Sequence, residues 1–333
     1  MKKNMLSITC CLIQLPRTHA FACLHCDTCK HHQYSELHQL QKTLSRKERN
    51  SNLELYRIIV MLLIVAHHYV VNSGLMSVMK EEPLHIHSIF LYLFGMWGKT
   101  GINCFVMITG YFMYKSHISL RKFMKLLFEI YFYSLIITGT FLLTGYAHPS
   151  FSTVFYALVP IQSLGVNYVS WFVVLYFIAS YIRLYGFPIK ISNRNWGWLT
   201  FCLYWFLWQA WLSTVFVNKN IPVFWFVADS NHIMALVTAL CSFMFFKDLK
   251  IGYSKLINMI GASTFGVLLI HANSDIMRQW LWQDILNNVG QYGTNTMVLH
   301  AILSVIAIFV VCILIDMLRM KFVEKILFNE CAK

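Results

Sequence analysis

The chain has 333 residues, 58% of them hydrophobic and 12% charged, with a formal net charge of +13. Soluble domains carry roughly a quarter charged residues, so this composition argues against an ordinary soluble protein and makes the bilayer the expected solvent. The positive charge does not point to nucleic acid, because Lys and Arg fall between apolar runs, where lipid headgroups and topology account for them.

Residues 1–50 differ from the rest, being polar, rich in His and Cys, and closed by the basic run Arg46-Lys47-Glu48-Arg49. They are expected to be a tail outside the fold, poorly structured or upstream of a true start near Leu44. A signal-peptide pattern is only loosely imitated, since Pro16 and Arg17 interrupt it. Cys23, Cys26 and Cys29, with His25, His31 and His32, lack a second distant ligand pair, so no metal is expected. The ten cysteines show no disulfide framework.

From Leu53 the apolar runs begin, with expected spans near 55–73, 88–114, 126–145, 168–187, 196–217, 231–247, 256–271 and 297–318. Shorter pieces near 151–163 and 221–228 would add two more. About twenty residues cross the hydrocarbon core, so the expected fold is an all-α bundle of eight to ten transmembrane helices over residues 51–333. Lys115, Arg121, Lys122, Lys125, Arg183, Lys190, Arg194, Lys247, Lys250, Lys255, Arg319, Lys321 and Lys325 all fall on one side of this layout. The opposite side carries chiefly Lys80, Lys219 and Arg278, so both termini are expected in the cytoplasm. The segment 272–296, with Trp280, Trp282, Asp284 and Asn287, is expected to be an interfacial helix.

On the first span, Arg57 and His68 are eleven residues apart, about 20° around a helix and roughly 16 Å along it. They share a face. Ionisable groups at such depth are costly and commonly serve a pathway or a reaction, although a snorkelling Arg57 and a core His68 would explain them without function. His67 adds a neighbouring imidazole. Gly98-Lys99-Thr100-Gly101 inside the second span predicts a broken or late-starting helix, which would need a polar or wet lining and implies a cavity. Thr109-Gly110 would allow close helix approach. Arg121, Lys122 and Lys125 offer three cations within five positions, suited to phosphate or to simple topological anchoring. Glu129, four residues beyond Lys125, is placed to pair with it. His271 closes a span and admits either an interfacial or a functional role.

In this order the blocks resemble the membrane acyltransferase-3 family, which includes O-acetyltransferases of bacterial surface polysaccharides. The resemblance covers roughly residues 50–325. Its most specific element is an Arg, ten intervening residues and a His on the first span, matched by Arg57 and His68. Gly101 to Tyr111 is similar to a Gly-Val-Asp-x-Phe-Phe-x-x-Ser-Gly-(Phe/Tyr) block, with Asn103, Cys104 and Thr109 replacing Asp, Phe and Ser. Lys122 and Lys125 stand where the family has an Arg-x-x-Arg pair. Trp171-Phe172 and Thr264 to His271 resemble later blocks.

The resemblance implies an integral acyltransferase of the bacterial inner (cytoplasmic) membrane. It would move acetyl from acetyl-CoA to a hydroxyl of a glycan or lipid-linked sugar. His68 would be general base or transient acyl carrier, Arg57 would position the donor or stabilise developing charge, and Arg121, Lys122, Lys125 and Thr109 would form the donor side. The alternative is a transporter or flippase of saccharide-linked lipid with Arg57 and His68 lining a polar path. Against it stands Glu129 as the only acid well inside an expected span. A third possibility is a purely structural partner in a biosynthetic complex.

Overall fold

The computed structural model describes residues 51–113, 120–158, 168–217, 227 and 229–329. The tail over 1–50, with its Cys and His pattern, lies outside them, as does most of the short apolar piece near 221–228. Residues 50–333 form one compact unit.

Every regular element among the described residues is a helix. In chain order they are α1 (Ser51–Val71), α2 (Leu75–Glu81), α3 (Ile86–Gly95), α4 (Gly98–Met113), α5 (Leu120–Leu143), α6 (Phe151–Leu158), α7 (Val169–Tyr185), α8 (Asn193–Val217) and α9 (Ile233–Lys247). They continue as α10 (Lys255–Ala262), α11 (Thr264–His271), α12 (Asp275–Gln279), α13 (Asn288–Gln291), α14 (Met297–Leu318) and α15 (Lys325–Asn329), with π-helical turns at Trp280–Ile285 and Arg319–Glu324. Among the described residues, four stretches are long and apolar enough to cross a membrane: Ser51–Val71, Ile86–Met113, Leu120–Leu143 and Met297–Phe328. A fifth arises if Lys255–His271 and Asp275–Gln291, bent by 94°, count as one broken span. The chain therefore has the helical architecture of a multi-pass membrane protein. The shorter apolar helices α7 and α9 occupy two further expected spans.

Local chemistry accounts for several boundaries. Gly186, at φ 78°, ends α7 in a backbone conformation that side chains disfavour, and Pro188 follows. Ser254 and Ser274 begin α10 and α12 by accepting the amides of Ile257 and Met277. The second span breaks at Met96–Trp97, immediately before Gly98, where the sequence predicts an interruption.

α1 lies at the centre, in contact with α2, α3, α4, α9, α10, α11 and α14. Its buried Leu53, Tyr56, Val60, Met61, Ile64, Val65 and Tyr69 place apolar side chains around most of its circumference, as a helix hydrophobic all round requires. α14 is peripheral: Leu299, Leu303, Ile306, Val310 and Leu314 are exposed along its length, a face suited to lipid. Close approach uses glycine. A Cβ on Gly110 would stand 3.0 Å from Tyr176 Cα, so α4 and α7 touch backbone to backbone there.

Candidate functional site

The successive residues His67, His68 and Tyr69 leave α1 about 100° apart, and each finds a different partner. His67 is buried and its Nδ1 donates to the Gly95 carbonyl at 2.6 Å, across the break between α3 and α4. Its ring fills the space where a Cβ on Gly98 would be, so Gly98 is required for the close approach. Tyr69 is fully buried, and its hydroxyl lies 2.9 Å from His300 Nδ1 on α14.

His68 meets His271. The rings lie 5.0 Å apart between centroids, with His68 Nδ1 2.9 Å from His271 Nε2. His271 is fully buried at the end of α11, and its own Nδ1 lies 2.6 Å from the Val267 carbonyl. A carbonyl only accepts, so His271 Nδ1 carries a hydrogen. A neutral His271 then has a lone pair at Nε2, and His68 Nδ1 must donate to it. A neutral His68 in turn has its lone pair at Nε2, which no described residue bonds, and the residue is half-buried rather than sealed. The pair thus aims a single basic nitrogen away from the helix contact.

Trp282 closes this region. It is fully buried, edge-on to Tyr69 at 5.9 Å and to His271 at 6.4 Å. Asn288 Nδ2 donates to the Tyr69 carbonyl at 3.0 Å, and Gln283 Nε2 to the Asn72 carbonyl at 3.2 Å. The segment expected to lie at the interface runs at 94° to the helices before it and inserts the Trp282 indole into the bundle. The 94° bend and the π-helical turn redirect Trp282 inward, while Trp280 packs on Phe141.

Arg57 stands on the same face of α1, about 16 Å below His68 by helical rise. Its guanidinium is 3.2 Å from Glu54 Oε2 and 5.6 Å from the centre of the Phe105 ring. Glu54 is itself buried against Gly261, where no Cβ would fit. Arg57 and His68 are therefore coaxial without touching.

The remaining sequence candidates do not gather around this pair. Arg121 donates to the Phe328 carbonyl and Lys125 pairs with Glu324, so both are tied to the C-terminal segment. Lys122 is exposed on the same turn. Thr109 donates back to Phe105 of its own helix at 3.0 Å, an ordinary helical use of a threonine hydroxyl. Asn103 donates to the Ser230 carbonyl at 2.7 Å and accepts from Trp171 Nε1 at 3.0 Å, linking α4 to α7.

Glu129 is paired differently from the expectation. Its partner is Arg319 at 3.1 Å, and Arg319 also reaches Asp316 at 2.9 Å and Glu324 at 3.0 Å. Asp316 is fully buried within the last apolar helix and accepts from Tyr133 at 2.7 Å, so Glu129 is not the only acid inside a span. The Asp316, Arg319 spacing of three at the end of that span was the available signal. Among the described residues no cluster of three His, Cys, Asp or Glu is arranged to hold a metal. No family model, curated protein or solved structure matches the chain.

Proposed function

We propose that the chain crosses a bacterial cytoplasmic membrane eight or ten times, with both termini inside, and transfers an acyl group to a saccharide hydroxyl. Acetyl-CoA is the donor suggested by the family resemblance. The observation that supports the chemistry is the His68–His271 pair, with Val267 setting one tautomer and thereby the other. His68 Nε2 takes the proton of the acceptor hydroxyl as its oxygen bonds to the acyl carbonyl carbon. The carbon–sulfur bond then breaks, and the departing thiolate receives that proton. His271 is a positioning residue, acting as the orienting partner that a base requires. Arg57 lies on the cytoplasmic side of His68 in this topology and suits the donor side. Arg121, Lys125 and Thr109 have other partners in this arrangement, so no step is assigned to them.

A carrier of saccharide-linked lipid is the second reading, and a specific observation favours it. The end of the last span carries a charged network in which Asp316 and Arg319 are buried and Glu129 and Glu324 partly exposed, and acids placed in or beside a span are what proton-coupled carriers use. A multi-pass bundle with a broken helix pair speaks more directly to carriage than to acetyl transfer. The oriented histidine is the observation on the side of chemistry.

The test uses inverted membrane vesicles supplied with labelled acetyl-CoA. Label appearing on glycan, lost by at least about a hundredfold in His68→Ala at normal protein level, is the expected result. Glycan movement without label transfer would establish the carrier instead.

A further inference from the structure

Acyl transfer needs a base, and it also needs a positive partner for the oxygen of the acyl carbonyl, which turns anionic as the acceptor hydroxyl adds. His68 Nε2 supplies the first. Arg57 is about 16 Å away along α1, too far to serve an oxygen one bond from a carbon held at His68. His271 has both ring nitrogens occupied, by the Val267 carbonyl and by His68, and Asn273 donates back to the Leu269 carbonyl. The positive partner must come from elsewhere around the pair.

α4 offers one. It runs antiparallel to α1, seated through Gly98 on His67 and Gly101 on Ile64, with Phe105 beside Arg57. Cys104 leaves one flank of this seam and meets Ser242, which bonds Tyr56 of α1. Lys99 stands about 140° around α4 from Cys104, and His68 about 120° around α1 from Tyr56, so both leave the opposite flank. A helical side chain leans towards the N-terminus of its own helix, which carries the Lys99 stem to the His68 end of α1. Lys99 and Arg278 are accordingly the cations that bear electrostatically on the His68 ring. They differ in what holds them. Arg278 pairs with Asp275 at 2.7 Å and turns a second nitrogen to the Ala272 carbonyl. Lys99 is half-buried and pairs with no carboxylate among the described residues. Its ammonium lies 5.4 Å from the centre of the Tyr168 ring, while Asp229 is bonded to the Tyr168 hydroxyl and the Ser230 amide.

We infer that Lys99 is the electrophilic half of the site: its ammonium pairs with the acyl carbonyl oxygen and holds the negative charge that gathers there while the new oxygen–carbon bond forms. When that electron pair returns to re-form the carbonyl, the carbon–sulfur bond breaks and the thiolate takes the proton held on His68. Lys99 stays protonated throughout, supplying charge and no proton. An ammonium held only against an aromatic face can follow the oxygen, whereas one paired with a carboxylate would first give up that pair. The inference deepens the proposed function and rests on that reading for the reaction.

The test measures transfer from labelled acetyl-CoA to membrane glycan in inverted vesicles, at equal amounts of each protein. Lys99→Met, which keeps the apolar stem, should lower the maximal rate about a hundred- to a thousandfold and leave KM for acetyl-CoA unchanged, as loss of one oxyanion partner does. Lys99→Arg, which keeps the charge, should recover much of that loss. Lys99→Cys should be as slow as Lys99→Met and should regain rate after alkylation with 2-bromoethylamine, which restores an ammonium, but not after iodoacetamide. The parent carried through both reagents is the control. Because the two alkylated forms come from the same folded protein, their comparison separates charge from packing. Full rate in Lys99→Met, a loss confined to KM, or equal rates after the two alkylations, each confirmed by peptide mass, would overturn the assignment of Lys99. So would an Arg278→Met variant that loses turnover while Lys99→Met keeps it. Parent vesicles that transfer no label would overturn the proposed function itself and this inference with it.

Discussion

Replacing Arg319 by Met removes the one cation that three carboxylates share. Its Nε, Nη1 and Nη2 reach Asp316, Glu324 and Glu129 at 2.9, 3.0 and 3.1 Å, and its side chain is only 3% exposed. Methionine matches much of the volume and none of the charge. Lys125 still neutralises Glu324, but among the described residues no other ion pair to Glu129 or Asp316 remains. Asp316 is the more costly, because it is wholly buried and its Oδ2 already has no partner among the described residues. Removing one partner of a buried ion pair typically costs about 3–5 kcal/mol. That loss is expected here in unfolding equilibria followed by tryptophan fluorescence in mixed micelles. Adding Asp316→Asn to the Arg319→Met variant should recover a substantial part, since the uncompensated charge goes. Asn is chosen because Gly266 packs directly on the carboxyl and admits nothing larger. A loss below about 1 kcal/mol, the size of an exposed pair, would refute the view that this network is buried and shared.

Two further outcomes test the packing. Gly110→Leu should destabilise by about 1–3 kcal/mol, because the new Cβ meets Tyr176 backbone, which cannot rotate away. Gly139→Ala on α5, with nothing within 4 Å of its Cβ, should instead stabilise by up to about 1 kcal/mol in the same unfolding measurement. Asn103→Leu leaves the Ser230 carbonyl and the Trp171 indole N–H unmet, each costing about 1–3 kcal/mol, whereas Asn103→Asp keeps the acceptor for Trp171 but loses the donor and buries a carboxyl against the Ser230 carbonyl. A Leu variant as stable as the parent would show that α4 and α7 do not depend on this link.

What the sequence by itself determined is local and periodic. Apolar runs of span length fold as helices because no other structure satisfies its own backbone in lipid, and the interruption before Gly98 follows from the glycines and lysine set in an apolar run. The shared face of Arg57 and His68 follows from helical geometry alone. Tertiary structure decided everything that joins distant segments. His271 reaches His68 across 203 residues because α11 packs on α1, a contact no periodicity encodes. Glu129 had a partner one turn away in Lys125, yet burial favoured the bidentate-capable Arg319, while Lys125 took Glu324 at the partly exposed end. Trp282 suits an interfacial helix by composition, and only the tertiary packing sets its indole against Tyr69 and His271. The apolar character of α1 was likewise legible, as a span. That part of the helix borders empty space rather than packed side chains depends on how α3, α8 and α14 are spaced around it.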